Sequence, residues 1–229
     1  MASAILKLSY NEPGDSSLEG GICGTAFFLD PLTAITAHHA LNGQTLAPNL
    51  GYRRVILWLI SRSGAICRIE TSAVSLHPEI DTTVIRLAKA MSGFQVHDVT
   101  TKPVTSGISV RGIGYQGNAM PSIDAAWQGE ELVIRTADLM SLVLDRDGHV
   151  VRPLTLDVNA RDVKMQDVPG FELSFGSQVG MSGGPVVDAE SGCVLGMLSI
   201  GLPPDANVKT QTFAVSINSI AERIYRNLT

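Results

Sequence analysis

A serine set among glycines, in the stretch GMSGGPVVD at positions 180–188, is the part of the sequence whose residue types most directly indicate chemistry. Glycine is favoured where a backbone takes positive φ or must approach another group closely. On such a backbone Ser182 is held exposed and fixed in place, which is what a nucleophile requires if a base lies within reach. The stretch suits a glycine-rich turn without chemistry equally well, so the serine needs support from elsewhere in the chain.

Two other segments supply the groups that would activate this serine. Residues 36–40 read Thr-Ala-His-His-Ala after an apolar stretch, and residues 77–87 carry acidic side chains just before another apolar stretch. A serine hydroxyl needs a neutral imidazole to take its proton, and the imidazole needs a carboxylate that fixes its tautomer. The candidates are His38 and His39 for the base, and Glu79, Asp81 and Asp98 for the carboxylate.

Composition excludes several other classes of protein. The chain has 229 residues, of which 45% are hydrophobic, and a formal net charge of −5. This length suits one domain or two small lobes. Because no stripe of Lys and Arg is present, we expect no nucleic-acid partner. No apolar run approaches a membrane span, and no basic leader precedes an apolar core at the N-terminus, so we expect no membrane partner and a cytoplasmic location.

The metal-binding and disulfide-forming residue types are sparse. Cys23, Cys67 and Cys193 are odd in number and widely spaced, which argues against a disulfide framework and a zinc site. Buried free thiols in a reducing compartment are the expectation. His77, His97 and His149 are interpreted as turn or surface residues, and Trp58 and Trp127 as packing residues. No metal and no cofactor are predicted.

Short apolar runs separated by turn residues predict an all-β fold of the barrel or sandwich class. The expected strands cover residues 2–10, 24–29, 32–37, 55–60, 65–74, 82–87, 106–114, 125–134 (with a turn at 128–129), 139–144 and 150–158 (joined across the turn residues 145–148), 185–187, 194–200 and 212–217. Only the C-terminal end has helical periodicity, carried by Ile217, Ile220, Ala221, Ile224 and Leu228. The least patterned connection, residues 91–105, places a lobe boundary between 1–98 and 99–229.

Four stretches follow one another along the chain: Thr36-Ala37-His38-His39, the segment 81–87 opening with Asp81, Gly180-Met181-Ser182-Gly183-Gly184-Pro185, and Gly196-Met197-Leu198-Ser199-Ile200-Gly201. Similar stretches occur in the same order in trypsin/chymotrypsin-like serine proteases. The chain resembles this superfamily from about Gly24 to the C-terminal helix, and within it the disulfide-poor bacterial branch that includes the high-temperature-requirement type. The resemblance places His39 in the base position, Asp81 in the carboxylate position and Ser182 in the nucleophile position.

The resemblance also implies an architecture and a set of binding residues. The expected fold is two six-stranded antiparallel β-barrels, with the active site in the cleft between them and a short C-terminal helix. His39 and Asp81 would come from the first barrel and Ser182 from the second. The backbone N–H groups of Gly180 and Ser182 would form an oxyanion hole. The expected substrate-binding residues are Gly176, Ser177, Ser199, Ile200, Gly201 and Thr212.

Departures from the family pattern carry information of their own. Met181 stands where the secreted enzymes carry an aspartate that pairs with a newly cleaved N-terminus, so we predict no zymogen activation of that kind. Ala40 replaces the cysteine usual after the base. Because no acidic residue stands near residues 176–177, small or medium uncharged side chains are expected at the cleavage site; Asp205 is the residue that could oppose this preference.

The sequence therefore predicts a serine endopeptidase that acts through an acyl-enzyme on a protein or peptide substrate. The alternative is a catalytically silent or partner-switched peptide-binding module on the same fold, and a third reading is an esterase with the same triad. An activating protein partner or a fused sensor domain is a further expectation, based on fold-level analogy.

Overall fold

Fifteen β-strands, four single 3-10 turns and one α-helix make up the part of the chain that this computed structural model describes, residues 2–15, 18–41, 54–160, 163–202 and 211–226. The strands are β1 Ser3–Tyr10, β2 Glu19–Asp30, β3 Thr33–Ala37, β4 Arg54–Ser61, β5 Ile66–Ile69, β6 Val74–His77, β7 Thr82–Arg86, β8 Ser109–Tyr115, β9 Ser122–Gln128, β10 Glu131–Asp138, β11 Val143–Asn159, β12 Lys164–Leu173, β13 Pro185–Asp188, β14 Val194–Leu202 and β15 Gln211–Ser216. The helix α1 is Ile217–Arg226, and the 3-10 turns are His38–Leu41, Thr71–Ala73, Pro78–Ile80 and Met140–Leu142.

The first seven strands form one open antiparallel sheet, in the order β5-β4-β1-β2-β3-β7-β6, which we call the first sheet. Side chains alternate between the two faces of a strand, so the consecutive buried residues of the central strands show that both faces of this sheet are covered there. On one face Leu6 and Trp58 pack against Leu132 of the β9–β10 hairpin. On the other face Ile5 and Leu59 enter a separate apolar cluster. Two covered faces explain why residues 55–60 of β4 are all apolar.

Six later strands close into a barrel, in the order β11-β12-β15-β14-β13-β8, which we call the closed barrel. The fold is therefore mostly β, as predicted, but the expectation of two closed six-stranded barrels is corrected. Within the described residues the first sheet has seven strands and two free edges, since its edge strands β5 and β6, each four residues long, are not paired with each other. The β9–β10 hairpin forms a two-stranded sheet of its own.

Several strand boundaries also differ from prediction, and two of these differences have a physical reason in the structure. The expected strand 65–74 is two short strands, because a 3-10 turn closed by the Ala73 N–H and the Glu70 carbonyl (2.9 Å) interrupts it. The expected turn at 145–148 is absent from the described structure: β11 runs through it as one 17-residue strand. Continuous pairing with β8, from Val143 opposite Tyr115 to His149 opposite Ser109, keeps this polar segment extended.

An apolar cluster joins the first sheet to the closed barrel. Phe27 and Val84 of the first sheet share it with Met197 of the barrel. Helix α1 adds the predicted residues Ile217, Ile220 and Ile224, all nearly fully buried. Each buried isoleucine contributes about 1.5–3 kcal/mol. Ala221 is half-buried, and Leu228 lies outside the described residues. The cluster therefore packs the first sheet and the closed barrel against each other.

Candidate active site

His39 and Asp81 meet because the strands that carry them are neighbours. In the β3–β7 ladder Ala37 lies opposite Thr82, so the residue after β3 faces the residue before β7. The backbone N–H of His38 continues the ladder and donates to the Asp81 carbonyl at 2.9 Å. The 3-10 turn that follows then brings the His39 ring onto the carboxylate, with Nδ1 2.9 Å from Oδ2 and 3.0 Å from Oδ1.

The Asp81 carboxylate is enclosed by donors. Its side chain is 0% exposed, whereas that of His39 is 22% exposed. Besides the ring, the His39 backbone N–H donates to Oδ1 at 3.1 Å, and the Ser199 hydroxyl donates to Oδ2 at 2.5 Å. The backbone of Asp81 is left-handed, with φ 46° and ψ 42°, at the end of the turn Pro78–Ile80. Such a conformation costs on the order of 1–3 kcal/mol and is tolerated best by short polar residues such as Asp.

The rival candidates lie elsewhere. The Glu79 side chain is exposed, and its Oε1 lies 3.8 Å from Nδ1 of His77 rather than beside His39. Asp98 is exposed, and its backbone carbonyl accepts the Val194 N–H. Burial lowers the pKa of His38, an effect that His39 reinforces and the charges of Asp81 and Glu79 oppose. His38 Nδ1 is buried without a hydrogen-bond partner among the described residues, so the neutral ring is the favoured form.

Ser182 lies on a tight loop between β12 and β13, residues 174–184, which we call the Ser182 loop. Gly180 has φ +91° and Gly183 has φ +86°, values that L side chains adopt at a cost. The space is also closed: a Cβ at Gly180 would lie 2.2 Å from the Gly117 nitrogen, and a Cβ at Gly183 would lie 2.1 Å from the Thr25 carbonyl oxygen. Both glycines are therefore required by this backbone.

Hydrogen bonds from Thr25 and Gly117, outside the loop, help to hold it around the serine. The Thr25 hydroxyl donates to the Gly180 carbonyl at 2.7 Å, the Thr25 N–H donates to the Ser182 carbonyl at 2.9 Å, and the Gly117 N–H donates to the Val179 carbonyl at 2.7 Å. Among the described residues, the N–H groups of Gly180 and Ser182 donate to no protein oxygen. Two neighbouring N–H groups are thus available to an acceptor.

His39 and Ser182 line one cleft, which has a volume of about 530 Å³. The Ser182 hydroxyl donates to the Ser199 carbonyl over a long 3.4 Å. Of the predicted substrate-binding residues, Ser177, Ser199, Ile200 and Gly201 also line this cleft. Gly176 and Thr212 are not among its lining residues; Thr212 is fully buried, and its hydroxyl accepts the Ser177 N–H at 2.8 Å. The cleft further includes Val163, Gln178, Val179 and Leu202.

Sequence reasoning missed two connections in this region. Ser199 was assigned to a cleft wall, but its hydroxyl also binds Asp81. Thr25 was not singled out at all, because a threonine inside a strand carries no local signal of its partners. Both connections join segments more than a hundred residues apart, 118 for Ser199 with Asp81 and 155 for Thr25 with Gly180.

The remaining sequence predictions have mixed outcomes. Trp58 and Trp127 pack in one apolar cluster, as expected. The prediction that His97 is a turn or surface residue is wrong. Its ring is buried edge-on against Phe27, with the ring centroids 6.0 Å apart, because its backbone N–H donates to the Phe28 carbonyl. The three cysteines are free but half-buried rather than buried. Burial raises the pKa of Cys23 to about 12 and also raises that of Cys67, so neither thiol competes as a nucleophile at neutral pH.

The position of Met181 shows how the loop is packed without an ion pair. The side chain is 0% exposed and lies in the apolar core of the closed barrel, together with Phe171 and Leu198.

Within the described ranges, no cluster of three or more His, Cys, Asp or Glu side chains is arranged to hold a metal ion.

Comparison with known proteins assigns the family. The model of the trypsin-like peptidase domain matches residues 24–197. The chain belongs to this family. It is therefore a serine-type peptidase by family, and its trypsin-like match contains every residue of the first three stretches that carried the resemblance. No curated protein sequence matches the chain.

Solved structures with similar folds are distant in sequence. The active form of the Rv3671c protease from M. tuberculosis is 16% identical, with a TM-score of 0.61, and the alignment covers 97% of this chain and 79% of that one. The HtrA-type protease AlgW with a decapeptide is 13% identical, with a TM-score of 0.62 and coverage of 98% and 63%. The MamO protease domain from Magnetospirillum magneticum is 16% identical, with a TM-score of 0.60 and coverage of 97% and 94%.

These likenesses establish the fold of the trypsin-like peptidase. The chain spans less than two thirds of the AlgW structure, whereas it spans most of the other two. No helix in the described part of the chain is long and apolar enough to span a membrane.

Proposed function

We propose that this trypsin-like peptidase is a serine endopeptidase that cleaves peptide bonds through an acyl-enzyme, with Ser182 as nucleophile, His39 as general base and Asp81 as the carboxylate that orients the base. The observation that carries the proposal is the double contact of His39 Nδ1 with the buried Asp81 carboxylate, in the cleft that Ser182 also lines. An Nδ1–H donated to Asp81 leaves Nε2 without its proton, which is the tautomer a base requires.

In the proposed first step, the Ser182 oxygen attacks the substrate carbonyl carbon while its proton passes to His39 Nε2. The C–N bond then breaks, and the proton goes from the imidazolium to the leaving amine, so that an ester to Ser182 remains. Water, deprotonated by the same imidazole, hydrolyses this ester and regenerates the serine. The buried charge of Asp81 stabilises the imidazolium in both steps.

We assign the developing negative charge to the N–H groups of Gly180 and Ser182. Both groups belong to the Ser182 loop, and neither donates to a protein oxygen within the described residues. Donors that are fixed before the reaction need no reorganisation when charge develops, and the loss of one typically costs about 3–4 kcal/mol of transition-state stabilisation.

We further propose that the enzyme prefers a small uncharged side chain at the residue before the scissile bond. A Cβ at Gly201 would lie only 2.3 Å from the Ser177 hydroxyl oxygen, so the two walls of the predicted specificity pocket lie against each other. The Ser177 N–H is bonded to Thr212, which holds that wall in place. Asp205 lies outside the described residues. Strong cleavage after Arg or Lys in a peptide library would contradict this preference.

The activity itself is tested with a fluorophosphonate probe and with mapping of new peptide ends in a cell extract. We expect the wild type to be labelled and to produce new ends, and Ser182→Ala to do neither. Turnover of esters without any peptide cleavage would favour an esterase. An unlabelled wild type would favour the peptide-binding module, or an enzyme that needs an activating partner or a fused sensor domain.

Three further assignments accompany this function. We propose a division of the chain into 1–98 and 99–229, since β1–β7 make the first sheet and the closed barrel begins with β8. We also propose a cytoplasmic location, which the three free thiols support because oxidising compartments favour disulfides. Protein or peptide substrates are the proposed partners.

A further inference from the structure

Thr25 forms hydrogen bonds to the Ser182 loop on both sides of the Ser182 N–H. It lies in β2 of the first sheet and is fully buried. Its hydroxyl donates to the Gly180 carbonyl at 2.7 Å and accepts the Tyr115 N–H at 3.2 Å. Its own N–H donates to the Ser182 carbonyl at 2.9 Å. A hydroxyl has a single proton to donate, so this one is committed to Gly180.

These bonds fix the peptide planes that surround Gly180. A peptide unit is planar, so a bond to its carbonyl also sets the direction of its N–H. The bond from Gly117 to the Val179 carbonyl therefore directs the Gly180 N–H away from Gly117. The Thr25 hydroxyl holds the next plane through the Gly180 carbonyl. With both planes held, the positive φ of Gly180 has little freedom left.

The carbonyl of Thr25 is held as well. The Thr36 hydroxyl donates to it at 2.6 Å, so the residue that holds the loop is anchored within the first sheet. Thr36 lies in β3, the strand that leads to His39. Anchoring at this point couples the position of the Ser182 loop to the sheet that carries the base.

We propose that the Thr25 hydroxyl is a positioning group for the oxyanion hole, acting across the boundary between the first sheet and the closed barrel. It holds the peptide plane that follows Gly180, and so limits the rotation at Gly180 that would turn the Gly180 N–H, held in its own plane by the Gly117 bond, out of the hole. The proposal rests on the proposed function, in which that N–H binds the oxyanion. Thr25 does not contact the reacting atoms; it acts through Gly180. Its loss should therefore reduce turnover more than substrate binding, because the hole is used most strongly in the transition state.

Three variants of the full chain separate this role from a structural one. Thr25→Val removes the hydroxyl while keeping the shape, and Thr25→Ser restores a hydroxyl. Thr83→Val is the matched control, since Thr83 is equally buried in the first sheet and its hydroxyl has no hydrogen-bond partner among the described residues. Urea midpoints identify any variant that fails to fold.

For Thr25→Val we expect kcat to fall about 10- to 100-fold, with KM changed less than about threefold, and a peptidyl trifluoromethyl ketone to bind correspondingly more weakly. Thr25→Ser should recover most of the loss, and Thr83→Val should resemble the wild type. Unchanged kcat and ketone affinity in Thr25→Val, or an equal loss in Thr83→Val, would overturn the proposal.

Hydrogen exchange of the Gly117 amide tests the same inference without catalysis. This N–H is bonded to the Ser182 loop, so freeing the loop should make it exchange about tenfold faster in Thr25→Val and not in Thr83→Val. A wild type that reacts with neither probe nor substrate would end the proposed function alone. Equal Gly117 exchange in Thr25→Val and wild type would end the role of Thr25 whether or not the chain is an enzyme.

Discussion

The His39–Asp81 pair and the Ser182 loop are assembled in different ways. The pair forms almost wholly within the first sheet, because β3 and β7 are neighbours and the ladder between them continues into the contact. One bond, from Ser199, reaches it from the closed barrel. The loop belongs to the closed barrel but takes two of its bonds from Thr25 of the first sheet. The His39–Asp81 pair thus forms within one sheet, whereas the surroundings of Ser182 depend on how the first sheet and the closed barrel pack together.

The difference between the open first sheet and the closed barrel agrees with these two ways of assembly. Among the described residues, the outer edges of the two short edge strands of the first sheet have no partner strand. One face of this sheet is covered by the β9–β10 hairpin, which follows directly after the segment holding Gly117. The closed barrel buries Met181 in its own core. The Ser182 loop is therefore held by the apolar packing of Met181 in the closed barrel, and by hydrogen bonds from the first sheet and from Gly117.

The largest expected effect comes from breaking the local pair. In Asp81→Asn the amide presents a donor to His39, which favours the wrong tautomer, and kcat should fall about 10⁴-fold. Steady-state turnover of a peptide substrate measures this fall, and urea denaturation establishes that the variant is folded. Activity within tenfold of the wild type would remove Asp81 from the proposed mechanism.

A smaller loss is expected from disturbing the loop. Gly180→Ala places a Cβ against the Gly117 nitrogen, so the N–H must shift, and kcat should fall about 10²- to 10³-fold. Gly129→Ala is the matched control, because Gly129 also has positive φ (+64°) but no atom within 4 Å of its added Cβ. Equal kinetics for the two variants would show that backbone strain, and not the crowded site, causes the loss.

The bond that joins the two regions gives a still smaller effect. Ser199→Ala removes one donor from the buried Asp81 carboxylate, and we expect kcat to fall about tenfold. In the Asp81→Asn background the same change should have little further effect, because the two side chains act as a unit. Additive losses in this double-mutant cycle would contradict the coupling between them.

The smallest effect concerns stability in acid. Since the pKa of His38 is lowered in the folded protein, its protonation favours the unfolded chain, and stability falls as the pH drops below about 6.5 toward the folded pKa. His38→Ala should therefore be relatively more stable at pH 5 than at pH 8, compared with the wild type. Urea midpoints at both pH values measure the difference, with His149→Ala as an exposed-histidine control. A parallel shift at both values would exclude this role of His38.

Much of the pattern in the first sheet could be predicted from the sequence. Alternation of apolar residues, turn residues between them and the order of the candidate residues all depend on neighbours in the chain. The segment 145–148 was predicted as a turn because its composition is polar, yet pairing with β8 overrides that local preference. The buried position of His97 likewise follows from a backbone contact with β2 that no local pattern reveals.

The sequence alone determined which residues are candidates for nucleophile, base and carboxylate, and which glycines surround Ser182. Residue type and short spacing are properties of the chain itself. Only the tertiary structure decided that one sheet stays open while the other closes, that Ser199 binds Asp81, and that Thr25 holds Gly180. The last two contacts join groups that lie 118 and 155 residues apart in the sequence. Their geometry is set by how two packed lobes meet across a shared apolar cluster, which local sequence does not encode.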